Sequence, residues 1–427
     1  MGYTFNHTAK DIEIMAPVGS YEMLAAAIQS GANSVYFGIE QLNMRSKSSK
    51  NFTIEDLKII SEKCRQNNVK TYITLNTVIY DSELDQMRAI VDAAKENKIT
   101  AIIASDLSVI QYASSVGMEI HMSTQTNITN IEAVKFYSNF ADVMVTAREL
   151  SLKKVKEITD AIKRENICGP SGNLIQIEIF VHGALCMAVS GKCYLSLDNM
   201  NSSANRGACL QQCRRKYEVK DKSSDTVLEI DNEYIMSPKD LKTVDFLDKI
   251  LYAGVRVLKI EGRGRNPEYV RKVVAVYRQA ADAVFSGDFN QENIDKWNKE
   301  LGSVYNRGFW DGYYLGRKMG EWTEIYGSQA SQKKVYIGKV TNYYSNIHVV
   351  EALIEAKDLK ADDRVYIIGE TTGVLEKKIS EIRLDKKSVE KVEKGNLISF
   401  PIDELVRRND KIYKIVEIDK VFGEEAE

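Results

Sequence analysis

The sequence predicts an α/β chain: a TIM-like (β/α)8 barrel followed by a small antiparallel β-barrel. Three observations predict it. From residue 11 to about 285, a short β-rich run, a turn and an amphipathic helix recur roughly eight times, the count of a closed parallel barrel. Several strands alternate with period two, one face aliphatic and the other polar. From Lys334 the composition changes to short strands between Asp, Gly and Asn turns, the spacing of a small antiparallel β-barrel. An open doubly wound sheet is the alternative. Against it, Gly262-Arg-Gly264 follows a strand but Pro267 stands where the third glycine of a dinucleotide loop belongs.

The strands are expected at Ile12–Ala16, Ser34–Gly38, Lys70–Asn76, Thr100–Asp106, Met118–Gln125, Asp142–Arg148, Ile175–His182 and Val255–Glu261. The helices are expected at Tyr21–Ser30, Ile54–Asn67, Ser82–Lys95, Leu107–Ser115, Ile131–Ser138, Leu152–Arg164 and Pro267–Phe285. Residues 1–300 therefore form the barrel, with a cysteine-rich segment at 183–216. Residues 301–333 read as a connector whose Asn306-Arg307-Gly308-Phe309 run packs back on the barrel. Residues 334–427 form the second domain, expected to serve recognition or docking.

Period two sorts the barrel residues. In the seventh strand Ile175, Ile177, Ile179 and Val181 oppose Gln176, Glu178, Phe180 and His182. Elsewhere Met118, Ile120 and Met122 oppose Glu119, His121, Ser123 and Gln125; Leu258 and Ile260 oppose Lys259 and Glu261; Val143 and Val145 oppose Thr146 and Arg148. Glu13 and the row Tyr72, Thr74, Asn76 join the inward set. Charged groups in a barrel lumen are costly unless paired. A satisfied polar network explains any one of them. Together, His121, Arg148, Glu178, His182, Lys259 and Glu261 point to a substrate pocket at the C-terminal ends of the strands.

Four of the six cysteines, Cys186, Cys193, Cys209 and Cys213, fall in one glycine-punctuated, polar segment. The N-terminal stretch has no basic region followed by an apolar run, so a reducing, cytoplasmic setting is expected and a disulfide framework is disfavoured. The spacing C-x6-C, fifteen residues, C-x3-C leaves zinc and an iron–sulfur cluster both open. Buried structural thiols are the bland alternative.

At 427 residues the chain suits two domains. A net charge of −2 excludes a globally basic nucleic-acid coat. No window approaches the ~18 apolar residues of a membrane helix, so no membrane partner is expected. Zinc-protease, nucleophile-elbow and phosphate-loop motifs are absent. A cysteine protease pairing Cys186 with His182 would need a specific turn.

The run E-x-F-x-H-G-A-L-C-M-A-x-S-G-K-C at Glu178–Cys193, with N-R-G-A-C-x-x-x-C-R at Asn205–Arg214, resembles peptidase family U32. Further matches are APVGS at Ala16–Ser20, HMSTQ at His121–Gln125, ARELSL at Ala147–Leu152, SPKDL at Ser237–Leu241 and LKIEGR at Leu258–Arg263. Within the family the chain is similar to the tRNA hydroxylation proteins. That resemblance implies a second domain like domain 2 of elongation factor Tu and prephenate-dependent hydroxylation of a wobble uridine in tRNA. It also implies a [4Fe-4S] cluster, rather than zinc, on Cys186, Cys193, Cys209 and Cys213. Arg148, Lys259, Glu261, Arg263, Asn76, Arg45 and Gln125 are then the expected contacts to a small dicarboxylate cosubstrate. Glu178, His182 and His121 are the expected proton handlers, and Arg214, Arg215 and Lys216 are expected to meet phosphates. A collagenase-like peptidase and a non-catalytic RNA- or ribosome-binding protein are the alternatives. The sequence names no protein partner.

Overall fold

The computed structural model describes residues 7–40, 42–46, 51–217, 234, 236–316, 320–323, 325 and 327–418. Eight parallel strands close a ring: β1 (Glu13–Pro17), β2 (Ser34–Gly38), β3 (Lys70–Leu75), β4 (Ala101–Ala104), β5 (Glu119–Met122), β6 (Val143–Val145), β7 (Gln176–Gly183) and β9 (Val257–Ile260). Closure comes from β9, which pairs with β1 on one side and β7 on the other. The expected closed barrel is therefore the observed one, strand for strand.

The intervening helices are α1 (Tyr21–Gln29), α2 (Asp56–Gln66), α3 (Leu84–Glu96), α4 (Leu107–Ser115), α5 (Ile131–Tyr137) and α6 (Leu152–Arg164). Their starts follow capping chemistry: the Ser20, Asp106 and Asn130 side chains each accept a first-turn backbone N–H. Their apolar stripes face the sheet, as Met87, Ile90, Val91 and Ala94 do on α3. Each large side chain removed from water in this way contributes about 1.5–3 kcal/mol.

The seventh crossover is different. After β7 the chain runs through the cysteine segment, which includes α7 (Leu195–Met200), then forms β8 (Asp240–Lys242), α8 (Leu247–Tyr252) and β9. Strand β8 lies antiparallel to the end of β7, outside the ring, and β10 (Phe309–Trp310) extends it. Helices α9 (Pro267–Ser286) and α10 (Gln291–Gly302) follow β9. Trp310 and Tyr314 belong to the main barrel core. The front of the expected connector is thus part of the barrel body.

Inside the ring, Met15, Tyr36, Tyr72, Ala101, Ile103, Val143 and Val257 form their own apolar cluster. Val143 and Val145, in register with Gln176 and Glu178 of the inward row, therefore face inward, not outward as their grouping against Thr146 and Arg148 suggested. Strand β6 ends at Val145, so Thr146 and Arg148 lie beyond it, where the alternation no longer fixes the side.

The C-terminal domain is antiparallel throughout. Its larger sheet comprises β11 (Gln332–Tyr344), β12 (Val349–Ile354), β14 (Arg364–Gly369), β15 (Gly373–Lys378), β16 (Ile382–Leu384), β17 (Lys387–Val389), β19 (Leu397–Pro401) and β20 (Lys411–Glu417). Strands β13 (Leu359–Lys360) and β18 (Lys391–Val392) form a second pair. One apolar cluster, from Ile337 to Ile412, is shared by both sheets. The domain docks on α1: Ala26 packs with Tyr366, Ile368 and Val374, and the Gln29 amide donates to the Thr372 carbonyl at 3.0 Å.

Candidate active site at the barrel mouth

The lumen is built in layers, because residues two apart on each strand point the same way. At the N-terminal end, the Glu13 carboxylate accepts from Lys70 Nζ at 2.9 Å and from the Tyr72 hydroxyl at 2.8 Å. Burial pushes the Glu13 carboxyl up, but Lys70 and the Ser34 hydroxyl bring it below its ordinary value. Above it, the His121 ring lies against Tyr72, centroids 4.5 Å apart, and its Nε2 is 3.1 Å from Glu119 Oε1. His121 Nδ1 faces Glu178 Oε2 at 3.9 Å. Both atoms are buried and neither makes a hydrogen bond among the described residues. The other Glu178 oxygen accepts from Lys259 Nζ at 2.6 Å. Burial drives the Lys259 ammonium below its ordinary value, against the pull of Glu178.

Lys259 is the step from this buried network to a cavity of about 260 Å³ at the C-terminal mouth. Among the described residues, seven basic side chains line it, Arg45, Arg148, Arg214, Lys259, Arg263, Arg265 and Arg307, and Glu261 is the one carboxylate in the lining. Arg45 Nη2 holds Glu261 Oε1 at 2.9 Å. Burial raises the Glu261 carboxyl, yet Arg45, Arg265 and Arg148 together bring it below the usual range. Arg263 donates to Thr74 Oγ1 at 2.8 Å and Asn43 Oδ1 at 3.1 Å, and burial lowers its guanidinium to about 10. Arg148 stacks on Phe180 at 4.0 Å and donates to the Ala184 carbonyl, while its buried Nε has no partner among the described residues. Asn76 donates to Ser123 Oγ at 3.2 Å and Gln125 Oε1 at 3.3 Å, closing the polar rim.

Cys186, Cys193, Cys209 and Cys213 all line this same cavity, and none is in a disulfide. Burial pushes the Cys213 thiol up, and Cys186, Cys209 and Cys193 push it further. Four free thiols around one recess are the donor set an iron–sulfur cluster takes, so the residues fit in kind. Among the described residues, no group of three or more His, Cys, Asp or Glu side chains is already arranged to hold a metal ion. The segment is fixed from outside the thiols. Gly207 has φ +73°, and a Cβ there would lie 2.2 Å from the Asn43 carbonyl oxygen. Arg206 pairs with Glu83 and stacks on Tyr80 at 4.1 Å.

The sequence profile of peptidase family U32 matches residues 19–324. The chain belongs to peptidase family U32. Among its U32 relatives, a protein named collagenase from Porphyromonas gingivalis is 57% identical over 95% of this chain and 98% of its own. An uncharacterized protease from Methanocaldococcus jannaschii is 36% identical over 95% and 98%. The tRNA hydroxylation protein P1 of Bacillus subtilis is 32% identical over 84% of each.

In this U32 chain most expected site residues converge. Arg45, Asn76, Gln125, Arg148, Lys259, Glu261 and Arg263 line the cavity with the four cysteines. Glu178 and His121 lie one layer beneath it. His182 does not join them. The β7–β9 register shifts between Phe180 and His182, which turns the next side chain behind the sheet. There its ring packs among Tyr269, Tyr277 and Phe309, and Nδ1 lies 3.4 Å from the Tyr277 hydroxyl. Burial lowers its pKa to about 3. It is a core histidine held neutral, so neither proton transfer in the cavity nor a pairing with Cys186 falls to it. Arg214 is likewise committed: it donates to the Pro238 and Leu185 carbonyls at 2.7 and 2.8 Å and clamps the cysteine segment.

Arg265 and Arg307 were missed. Both reach Asp240, at 3.5 and 3.3 Å, and Arg265 stacks on Tyr305 at 3.9 Å. The G-R-G-R run ending at Arg265 is a signal in the sequence; Arg307 lies in the connector, where no alternation marks it. Only the β10–β8 pairing brings Arg307 to the mouth.

Proposed function

We propose that this U32 chain is an RNA-hydroxylating enzyme acting on a uridine of tRNA, with prephenate as its small dicarboxylate cosubstrate. One observation carries the reading: among the described residues, seven basic side chains, one carboxylate and four free thiols line one small cavity. Even with Glu178 and Asp240, which hold Lys259, Arg265 and Arg307, counted beside Glu261, the lining keeps an excess of positive charge, which suits a compact dianion. Lys259, Arg263 and Arg148 supply charge-assisted hydrogen bonds to its carboxylates, and the Arg45–Glu261 pair sets one edge of the cavity. The relative named a tRNA hydroxylation protein supports the RNA substrate.

Cys186, Cys193, Cys209 and Cys213 would hold a [4Fe-4S] cluster, with zinc as the alternative occupant. A bound cluster supplies one-electron redox chemistry at the cavity mouth. Lys259, held by Glu178 beneath the cavity, would present a proton to the ligand. His121 lies behind Glu178, its Nδ1 3.9 Å from Oε2. The cysteine segment forms one side of the cavity.

The test is nucleoside mass spectrometry on tRNA from a deletion strain, with complementation by the wild-type chain. Loss of a hydroxylated uridine, restored by the gene, is the expected result. An unchanged nucleoside profile overturns the reading. The name of the 57% identical relative favours a second reading, a collagenase-like peptidase. Gelatin digestion by the pure protein, abolished in Cys186→Ser, would establish it instead.

A further inference from the structure

A second, larger recess of about 870 Å³ lies between the barrel and the C-terminal domain. It is not separate from the candidate active site. Arg263, Gly264 and Arg265 line both, so one short loop after β9 is the partition between them. On the barrel side, the recess is bounded by the first turns of α1 and α9, entered through Gly19–Ser20 and Asn266–Pro267. On the other side are Arg407, Arg408 and Lys411, at the turn into β20.

The charges are unequal. Arg263, Arg265, Lys334, Arg407, Arg408 and Lys411 face it against Glu22, Glu370 and Asp410. Two of these groups already have partners. Lys334 is held by Glu268 at 2.8 Å, and Asp410 is buried, accepting from the Arg407 backbone N–H at 2.8 Å and the Thr372 hydroxyl at 2.5 Å. Arg407, Arg408 and Lys411 are exposed. None of their side chains has a carboxylate partner among the described residues. Three unneutralised cations and two helix N-termini in one trough match a phosphate backbone.

We propose that this inter-domain groove carries the sugar-phosphate backbone of the RNA strand whose target base enters the adjoining cavity. The inference rests on the RNA reading above and places the strand. A base must leave its stack to reach a recessed site. The flanking phosphates then lie where the cavity wall ends, over Arg265 and toward Arg407, Arg408 and Lys411. The C-terminal domain is thus a clamp for the substrate strand, and the Arg263–Arg265 loop is the sill over which the base turns.

The test uses the full chain and a fluorescent anticodon stem-loop RNA with an unmodified wobble uridine. The triple variant Arg407→Ala/Arg408→Ala/Lys411→Ala is compared with wild type by anisotropy across a salt series. A control replaces Lys386, Lys387 and Lys394 with alanine, at and beyond the β16–β17 hairpin on the opposite edge of the sheet. The groove variant is expected to bind at least tenfold more weakly, with a shallower salt slope by about two units for three lost phosphate contacts. The control keeps both values, and both variants keep the wild-type melting temperature and iron content. If wild type binds the RNA and the groove variant matches it in affinity and slope, the groove inference is overturned while the RNA reading stands. If wild type binds no RNA, both fall.

Discussion

Lys259 Nζ sits 2.6 Å from Glu178 Oε1, with Glu178 wholly buried and Lys259 nearly so. The two come from β9 and β7, neighbours only because the barrel closes. A buried ion pair adds little net stability, but breaking one leaves a lone charge in a low-dielectric interior.

Lys259→Met should therefore destabilise the chain by about 3–5 kcal/mol. The double variant Lys259→Met/Glu178→Gln should recover most of that loss, because neither charge is then stranded. Urea unfolding of the three proteins measures it. Equal losses in the single and double variants would show that the pair is not coupled as its geometry implies.

His182 sets an acid limb. Its pKa in the folded chain is about 3, against an ordinary 6.5. Below pH 6.5 the unfolded chain takes up a proton that the folded chain refuses until about pH 3. Stability is thus fully present above 6.5 and falls as pH drops through that window, by up to about 1.4 kcal/mol per pH unit from this group. His182→Phe keeps a ring among Tyr269, Tyr277 and Phe309, and should flatten the limb in thermal melts between pH 6.5 and 4. An unchanged slope would place the protonation elsewhere.

Iron content separates the cysteines. Protein purified without oxygen should carry about four irons per chain with broad absorbance near 400 nm, an order set by thiolate-bound clusters. Serine at Cys186, Cys193, Cys209 or Cys213 should each lower both. Cys64→Ser should lower neither, since Cys64 is buried in α2 as core packing. Colourless, iron-free protein that still restores the modified nucleoside would end the cluster proposal.

Gly207→Ala tests the support of that segment. A left-handed backbone angle and a contact of 2.2 Å to the Asn43 carbonyl leave no room for a methyl group. The cost should exceed about 1 kcal/mol, and iron should fall with the thiols themselves untouched. Gly172→Ala, also at positive φ but with open space around it, should leave the iron in place. Equal iron in both variants would mean that Asn43 does not position the segment.

Much of the fold was written in local pattern. Alternation at period two marked strands, and i, i+3, i+4 stripes marked helices, because each strand and helix has one face to bury. Lys259 and Glu178 could be assigned inward for the same reason. The short strands β15 to β18 were not foreseen: the Gly373–Lys378 run, GVLEKK, is half charged and partly exposed, so it carries no burial pattern. Across the larger sheet, hydrogen-bonded neighbours rather than apolar content make such segments strands.

Sequence alone determined the barrel's strand count, most of the inward polar set and the grouping of four thiols, since each is a matter of residue type at a fixed period or spacing. Tertiary structure decided the rest. A one-residue bulge sent His182 behind the sheet, closure of the ring set Lys259 against Glu178, and a pairing outside the barrel carried Arg307 to the mouth. Those outcomes depend on which strands become neighbours and in what register, and no stretch of chain holds that information by itself.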